Sequence, residues 1–198
     1  RANARPSLRH ARFEEGVVSL IARRGRACVD AADDDAASAD DTLTRATRLC
    51  AHEASSRDEF EAAHDLVRRR YAWRGYDVPA LPDARNRKPS TTSAHEITFV
   101  ATHDADTVGT ITLGLDGGDG LLAERTHGDA IAQRRAAGAN VCELTRLAVA
   151  ERADSKSVLA ALFNVAYAAG SVLGVTDVFI EVNPRHVVFY TRVLGFAV

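Results

Sequence analysis

The spacing of apolar and polar residues divides the chain into alternating helical and extended stretches. Phe60, Ala63, Val67 and Tyr71 recur at three- and four-residue intervals, so they share one stripe of a helix. Ser56-Arg57-Asp58-Glu59 in front of them has the form of a capping box, a hydroxyl followed three residues on by a carboxylate. That helix is expected to end near Trp73-Arg74-Gly75. A short strand is expected before it, over Thr44 to Ala51. Glu96 to Ala101 (EITFVA) and Thr107 to Leu115 (TVGTITLGL) are β-rich runs joined by HDAD, which predicts a hairpin. Ala130 to Ala137 reads as a short helix carrying Arg134 and Arg135. Val141 to Val149 (VCELTRLAV) reads as a buried strand, and Ser155 to Leu173 as a long helix with Val158, Leu162, Ala166, Ala169 and Leu173 inward. A strand over Thr176 to Val182 follows. After the break at Asn183-Pro184 comes a helix containing Val187, Phe189, Tyr190 and Leu194.

The second half is thus a β-α-β unit, which needs a parallel strand pair, while the first half is antiparallel. The expected fold class is mixed α/β (α+β), with one sheet covered by helices on both faces. Three prolines, Pro79, Pro82 and Pro89, mark a loop of about 20 residues, a length usually kept for function or mobility. DGGDG at 116–120 is a flexible break. Val158 to Val175 is nearly continuous in apolar residues, but Asn164, Tyr167 and Ser171 interrupt it and a strand pattern follows. A buried helix is expected there, with no transmembrane segment.

Charge adds a domain boundary. Residues 1–29 hold seven Arg and two Glu, and residues 30–41 hold six Asp and no base. Phe13, Val17, Leu20 and Ile21 in the first segment recur at helical spacing, which reads either as a basic docking or membrane-surface helix or as a packed, partly ordered extension. Residues 30–42 read as an acidic, low-complexity linker. The expected organisation is an extension over residues 1–42 and a catalytic domain over 43–198. The overall charge of −2 excludes a dedicated nucleic-acid binder. Cys28, Cys50 and Cys142 make neither a disulfide framework nor a zinc pattern, and the seven His have no metal-ligand spacing. No metal and a cytoplasmic setting are therefore expected. The chain begins with Arg and contains no Met, as a fragment or a processed chain would.

Within VCELTRLAV, Glu143 and Arg146 stand out, because buried charges are rare unless paired or used. They form either a structural ion pair or a reaction centre. Residues three apart on a regular strand face opposite sides, so a shared site requires a bulge between them.

The order of elements and the phrase NPRHVVFYTRVLGF resemble the GNAT acyltransferase superfamily. There an Asn after the fifth strand is followed seven residues on by a Tyr and then by Gly-Phe. Asn183, Tyr190 and Gly195-Phe196 match, with one extra residue before the Gly. FEAAHDLVRRRYAWRGYDVP, TFVATHDADTVGTITLGLD, CELTRLAV and VNPRHVVFYTRVLGF, in that order, resemble the N-acyl amino acid synthase branch, related to the acyl-homoserine lactone synthases. Glu143-x-x-Arg146 corresponds to the Glu-x-[Ser/Thr]-Arg of the latter. The likeness covers roughly residues 44–196. In that family a further strand follows Gly-Phe, and here the chain stops at Val198, so the final strand is expected to be missing.

The resemblance implies transfer of a fatty acyl group from a phosphopantetheine thioester to the amine of an amino acid or similar acceptor, with no tightly bound cofactor. Glu143 is then the general base, and Arg146 binds the acceptor carboxylate or holds Glu143 ionised. Main-chain N–H groups around Leu147, Ala148 and Val149 stabilise the oxyanion. Tyr190 protonates the leaving thiolate, its alternative being a core aromatic. Asn183, His186 and Phe189 line the thioester arm, although Asn183 can equally make a turn and His186 a cap. Coenzyme-A-dependent relatives carry a Gly-rich loop before the long helix; here it is ERADSKS, without glycine. Ser155 and Lys156 can still hold the single phosphate of a carrier-bound arm. Acyl carrier protein is therefore the expected donor, meeting Arg152, Lys156, Arg185 and Arg192. The alternatives are a coenzyme-A-dependent N-acetyltransferase and a non-catalytic module that binds acyl carrier protein or lipid.

Overall fold

The computed structural model describes residues 18–23, 49–73, 75, 95–118 and 120–197, the first of these segments by its backbone. The acidic stretch 30–42 and the proline-bearing loop 76–94 lie outside the described residues, as do Phe13 and Val17.

Strand β2 (Leu49–Glu53) leads into helix α1 (Arg57–Trp73). The capping box forms as its sequence predicts. The Glu59 N–H donates to Ser56 Oγ at 3.2 Å, and the Ser56 N–H donates back to Glu59 Oε2 at 3.0 Å. His52 Nε2 lies 2.6 Å from Glu59 Oε1. This contact and the N–H groups of Ser55 and Ser56 hold the Glu59 carboxyl down at about 2. Strands β3 (Glu96–His103) and β4 (Asp106–Leu115) form the expected hairpin, turned by Asp104 and Ala105, both at positive φ. Helix α2 (Glu124–Ala136) begins six residues earlier than the pattern predicts and is kinked at His127. Strand β5 (Val141–Val149) has the predicted bounds. Helix α3 (Ser155–Val172), strand β6 (Asp177–Val182), a 3₁₀ turn (Pro184–His186) and helix α4 (Val187–Arg192) complete the order. No helix among the described residues is long and apolar enough to cross a membrane.

One reading is overturned. Residues Val18–Arg23 are not helical but form strand β1, antiparallel to β6 with Val18 opposite Val182 and Arg23 opposite Asp177. VVSLI is rich in β-branched residues, and β6 offers an edge to pair with. The sheet order is β1-β6-β5-β4-β3-β2. All neighbours are antiparallel except β5 and β6, which are the parallel pair of the predicted β-α-β unit.

The two faces of this sheet differ. On one, α3 packs a continuous apolar core in which Phe99, Ile111, Leu113, Cys142, Leu144, Val158, Leu162 and Ile180 are buried. Gly109 is needed there, because a Cβ would come within 2.4 Å of Val158 Cγ1. On the other face two helices share the cover. Ala63 of α1 packs with Val100, and Leu66 and Val67 pack with Ala148. Around α2, Leu121, Ala123 and Ile131 pack on Val141 and Phe179.

Candidate active site

Between the ground covered by α1 and by α2 runs a polar strip. Directly opposed residues of neighbouring strands share a face, so the register gives its rows. Thr98 opposes Thr112, which opposes Thr145; Glu96 opposes Gly114, which opposes Glu143. Thr98 Oγ1 and Thr112 Oγ1 are 3.1 Å apart. A side chain at 114 would press on Glu143, since a Cβ there meets its Cγ at 3.0 Å.

Glu143 is buried, at 5% exposure. Its partners are main-chain groups at the start of α2: the Leu122 N–H donates to Oε1 and the Ala123 N–H to Oε2, both at 2.9 Å. Burial pushes its carboxyl above the ordinary carboxylate range. The two N–H donors pull it back, and the charges of Glu181 and Glu96 push it up again. A carboxyl raised in this way is suited to accept a proton.

The requirement for a bulge is met. Thr112 pairs with Thr145 and Thr110 with Ala148, so Arg146 and Leu147 both face Ile111 alone. Arg146 has φ +52°, a left-handed conformation costing a non-glycine residue about 1–2 kcal/mol. The extra residue inverts the strand's alternation. Glu143 lies on the polar strip, and Ala148, five residues on, packs under α1 on that same face. Arg146 reaches the strip too, but its partner is Glu96, with Nη1 3.0 Å from Oε2. An ion pair between Glu143 and Arg146 is therefore not formed; the carboxylate's lone pairs go to the backbone and the guanidinium to β3. Glu96, which the sequence pattern marks only as a strand's first residue, is thus a member of the site.

Just before the bulge the sheet opens. β5 and β6 pair from Val141↔Asp177 to Leu144↔Ile180 and no further, although β5 continues to Val149 and β6 to Val182. The Ala150 N–H donates to Val108 O at 2.8 Å. The alternation of an antiparallel ladder then turns the main-chain groups of Val149 away from β4, toward the opening. Leu147 and Val149 flank this wedge, half-buried against the α3-side core. Tyr190 and Phe189 belong to that same core. The Tyr190 ring is buried and meets Phe163, Phe189 and Phe196 edge to face at 6.2, 5.4 and 5.9 Å. The structure thus brings Leu147, Val149, Phe189 and Tyr190 together and places Glu143 and Arg146 on the opposite face.

The ends of β5 and β6 point the same way, which sets two loops beside the wedge. In one, Asn183 Oδ1 accepts from the Arg185 N–H at 3.2 Å, so Asn183 caps the 3₁₀ turn, and Arg185 Nε lies 3.1 Å from His186 Nε2. In the other, Ser155 and Lys156 are exposed in the first turn of α3, but Asp154 already caps that helix. Its carboxylate accepts from the Lys156 N–H at 3.3 Å and from Ser157 Oγ at 2.5 Å, which holds its carboxyl below the usual range. The main-chain cradle expected for a phosphate is therefore occupied by the chain's own anion. Lys156 and Arg152 offer side-chain charge instead. A second polar hollow, open to solvent, lies beside Asp116, Gly117, Glu124, Arg135 and Asn140. Arg135 is clamped there by both oxygens of Asp116 and by Glu124, which ties the 116–120 loop to α2.

Comparison with known proteins agrees with this geometry. The sequence model of the family described as N-acyl amino acid synthase FeeM matches residues 62–198. No curated protein matches the sequence. Among solved structures, FeeM, an N-acyl amino acid synthase from uncultured soil microbes, superposes with a TM-score of 0.63 at 22% identity, over 73% of this chain and 77% of that one. A predicted acetyltransferase from Clostridium acetobutylicum, with acetyl-CoA, gives 0.54 at 8% identity over 76% and 91% of the two chains. A Trypanosoma brucei acetyltransferase gives 0.54 at 17% identity over 76% and 94%. With the mixed sheet, the bulged β5 and the wedge beside β6 in place, the chain has the fold of these acyltransferases and belongs to the FeeM family of N-acyl amino acid synthases.

Proposed function

We propose that this acyltransferase moves a fatty acyl group from the thioester of an acyl carrier protein to the amine of an amino acid or similar acceptor. The single observation that carries the reading is the end of β5–β6 pairing at Leu144↔Ile180, with five further residues of β5 beyond it. An extended phosphopantetheine arm fits such a wedge as a strand would, bonding to main-chain groups near Val149. The acceptor nitrogen attacks the thioester carbonyl from the polar strip. The C–N bond forms, and main-chain N–H groups around Leu147 to Val149 hold the oxyanion. The C–S bond then breaks, and the thiolate takes a proton from Tyr190. Glu143 accepts the proton lost by the amine, directly or through a water, and Arg146 binds the acceptor carboxylate. Asn183, His186 and Phe189 shape the outer end of the arm's path.

Three further observations favour this reading. Burial, with Glu143 and Asp177 nearby, pushes the Cys142 thiol up to about 12, which disfavours an acyl-cysteine intermediate and leaves direct transfer. Asp154 at the start of α3 opposes a coenzyme A diphosphate more strongly than the single phosphate of a carrier-bound arm. Arg152, Lys156, Arg185 and Arg192 are all exposed and supply charge for an acidic carrier. The test is incubation with acyl carrier protein thioesters and coenzyme A thioesters against a panel of amino acids, read by mass spectrometry. An N-acyl amino acid formed faster from the carrier thioester is expected. Thiol release without an N-acyl product contradicts the reading.

A further inference from the structure

We infer that Glu96 sets acceptor specificity by occupying, on Arg146, the place that the acceptor's carboxylate takes. The inference rests on the acyltransfer reading above and goes beyond it by assigning a residue and a selection rule.

The bulge spends backbone strain to bring an arginine to the polar strip, where a glycine would sit without strain. Once there, the guanidinium does not neutralise the buried Glu143, whose oxygens are engaged by the Leu122 and Ala123 N–H groups. It pairs instead with Glu96, and the side chains of the two are 28% and 23% exposed. That is covered enough to be ordered and open enough for a solute carboxylate to compete. Gly114 stands between Glu96 and Glu143 in the register and places no side chain between the two carboxylates. An α-amino acid suits this arrangement. Its carboxylate replaces that of Glu96 on Arg146, and the displaced Glu96, already part-exposed, turns to solvent. An amine without a carboxylate leaves the Glu96–Arg146 pair closed and gains no contact with Arg146. Glu96 acts through Arg146 and is in this sense a positioning residue.

The experiment compares a free amino acid with its methyl ester, by calorimetric binding and by steady-state acylation from a carrier thioester. The proteins are wild type, Glu96→Gln, Glu96→Asp and Arg146→Gln, with folding checked by thermal melting. In the wild type the free acid is expected to bind at least about tenfold more tightly than the ester. Glu96→Gln removes the competing charge, so KM and Kd for the free acid fall severalfold and those for the ester do not. Arg146→Gln brings the two acceptors within about twofold of each other, and Glu96→Asp behaves like the wild type. Equal changes for both acceptors in Glu96→Gln and Arg146→Gln would make the ion pair merely structural and overturn the inference. Selective binding without any acyl transfer would leave the role of Glu96 standing and contradict the acyltransfer reading instead. Absence of both would overturn the two together.

Discussion

The two halves of β5 are made from one apolar run and do opposite things. Val141 to Leu144 are all buried and are paired to β6, and Cys142 to Leu144 are paired to β4 as well. Thr145 to Val149 are mostly half-exposed and are paired to β4 alone, with a bulge and a left-handed residue in the middle. Both sheet neighbours and the start of α2 hold the first half; the second lacks the β6 ladder and so offers main-chain groups to a ligand. Under the proposed function, stability and chemistry are separated along a few residues of a single strand, with Glu143 at the seam. Its carboxylate fastens α2 from the closed half and faces the strip that leads to the open one.

This contrast can be broken from either side. The largest effect is expected in the closed half. Phe179 is fully buried opposite Glu143, and Phe179→Ala should cost about 3–5 kcal/mol in urea unfolding. At the seam, Glu143→Gln keeps the shape but sets an amide against one of two main-chain donors, so a loss of about 1–3 kcal/mol is expected. Its kcat should fall about 10²–10⁴-fold if the carboxylate is the base; unchanged kcat with the expected loss of stability would reduce Glu143 to a structural clamp.

The same residue carries a pH signature. Its folded carboxyl lies above the ordinary value of 4.5, so the native state binds the proton more strongly than the unfolded chain. Its contribution to stability is complete below 4.5 and is lost as pH rises through the folded value. Glu59, lowered to about 2, does the reverse: its contribution is present above 4.5 and is lost as pH falls toward 2. Urea midpoints measured across this range should lose the first slope in Glu143→Gln and the second in Glu59→Gln.

The smallest effect is expected in the open half. Arg146→Gly removes the ion pair with Glu96 but also the strain, so its unfolding free energy should change by no more than about 1 kcal/mol. Acceptor selection should nevertheless be lost, as read by the ratio of kcat/KM for the free acid and its ester.

The closed half was legible in the sequence because local pattern determines it. The capping box, the stripe on α1, the hairpin, the bounds of β5 and the β-α-β unit all follow from residue spacing. What was not legible depends on register. The pattern posed the question of a bulge near Arg146 but could not answer it, because the answer lies in which residue of β4 faces which of β5. Glu96 joins the site only through that same register, two strands away. The cap by Asp154 was readable in principle, as an acidic residue directly before the apolar run of α3. The early start of α2 was hidden because Thr126, His127, Gly128 and Asp129 are weak helix formers. At β1, helical spacing misled: a short β-branched run follows the edge available to it rather than its own periodicity.

The central claim is that the thioester arm lies in the wedge between the open half of β5 and the end of β6. Amide chemical-shift mapping during titration with acyl-phosphopantetheine tests it most directly. The account predicts that the largest shifts fall on Leu147, Ala148, Val149 and Asn183, with little change at Val141 and Cys142. Shifts centred on the hollow around Asp116 and Arg135, with the end of β5 unmoved, would contradict it.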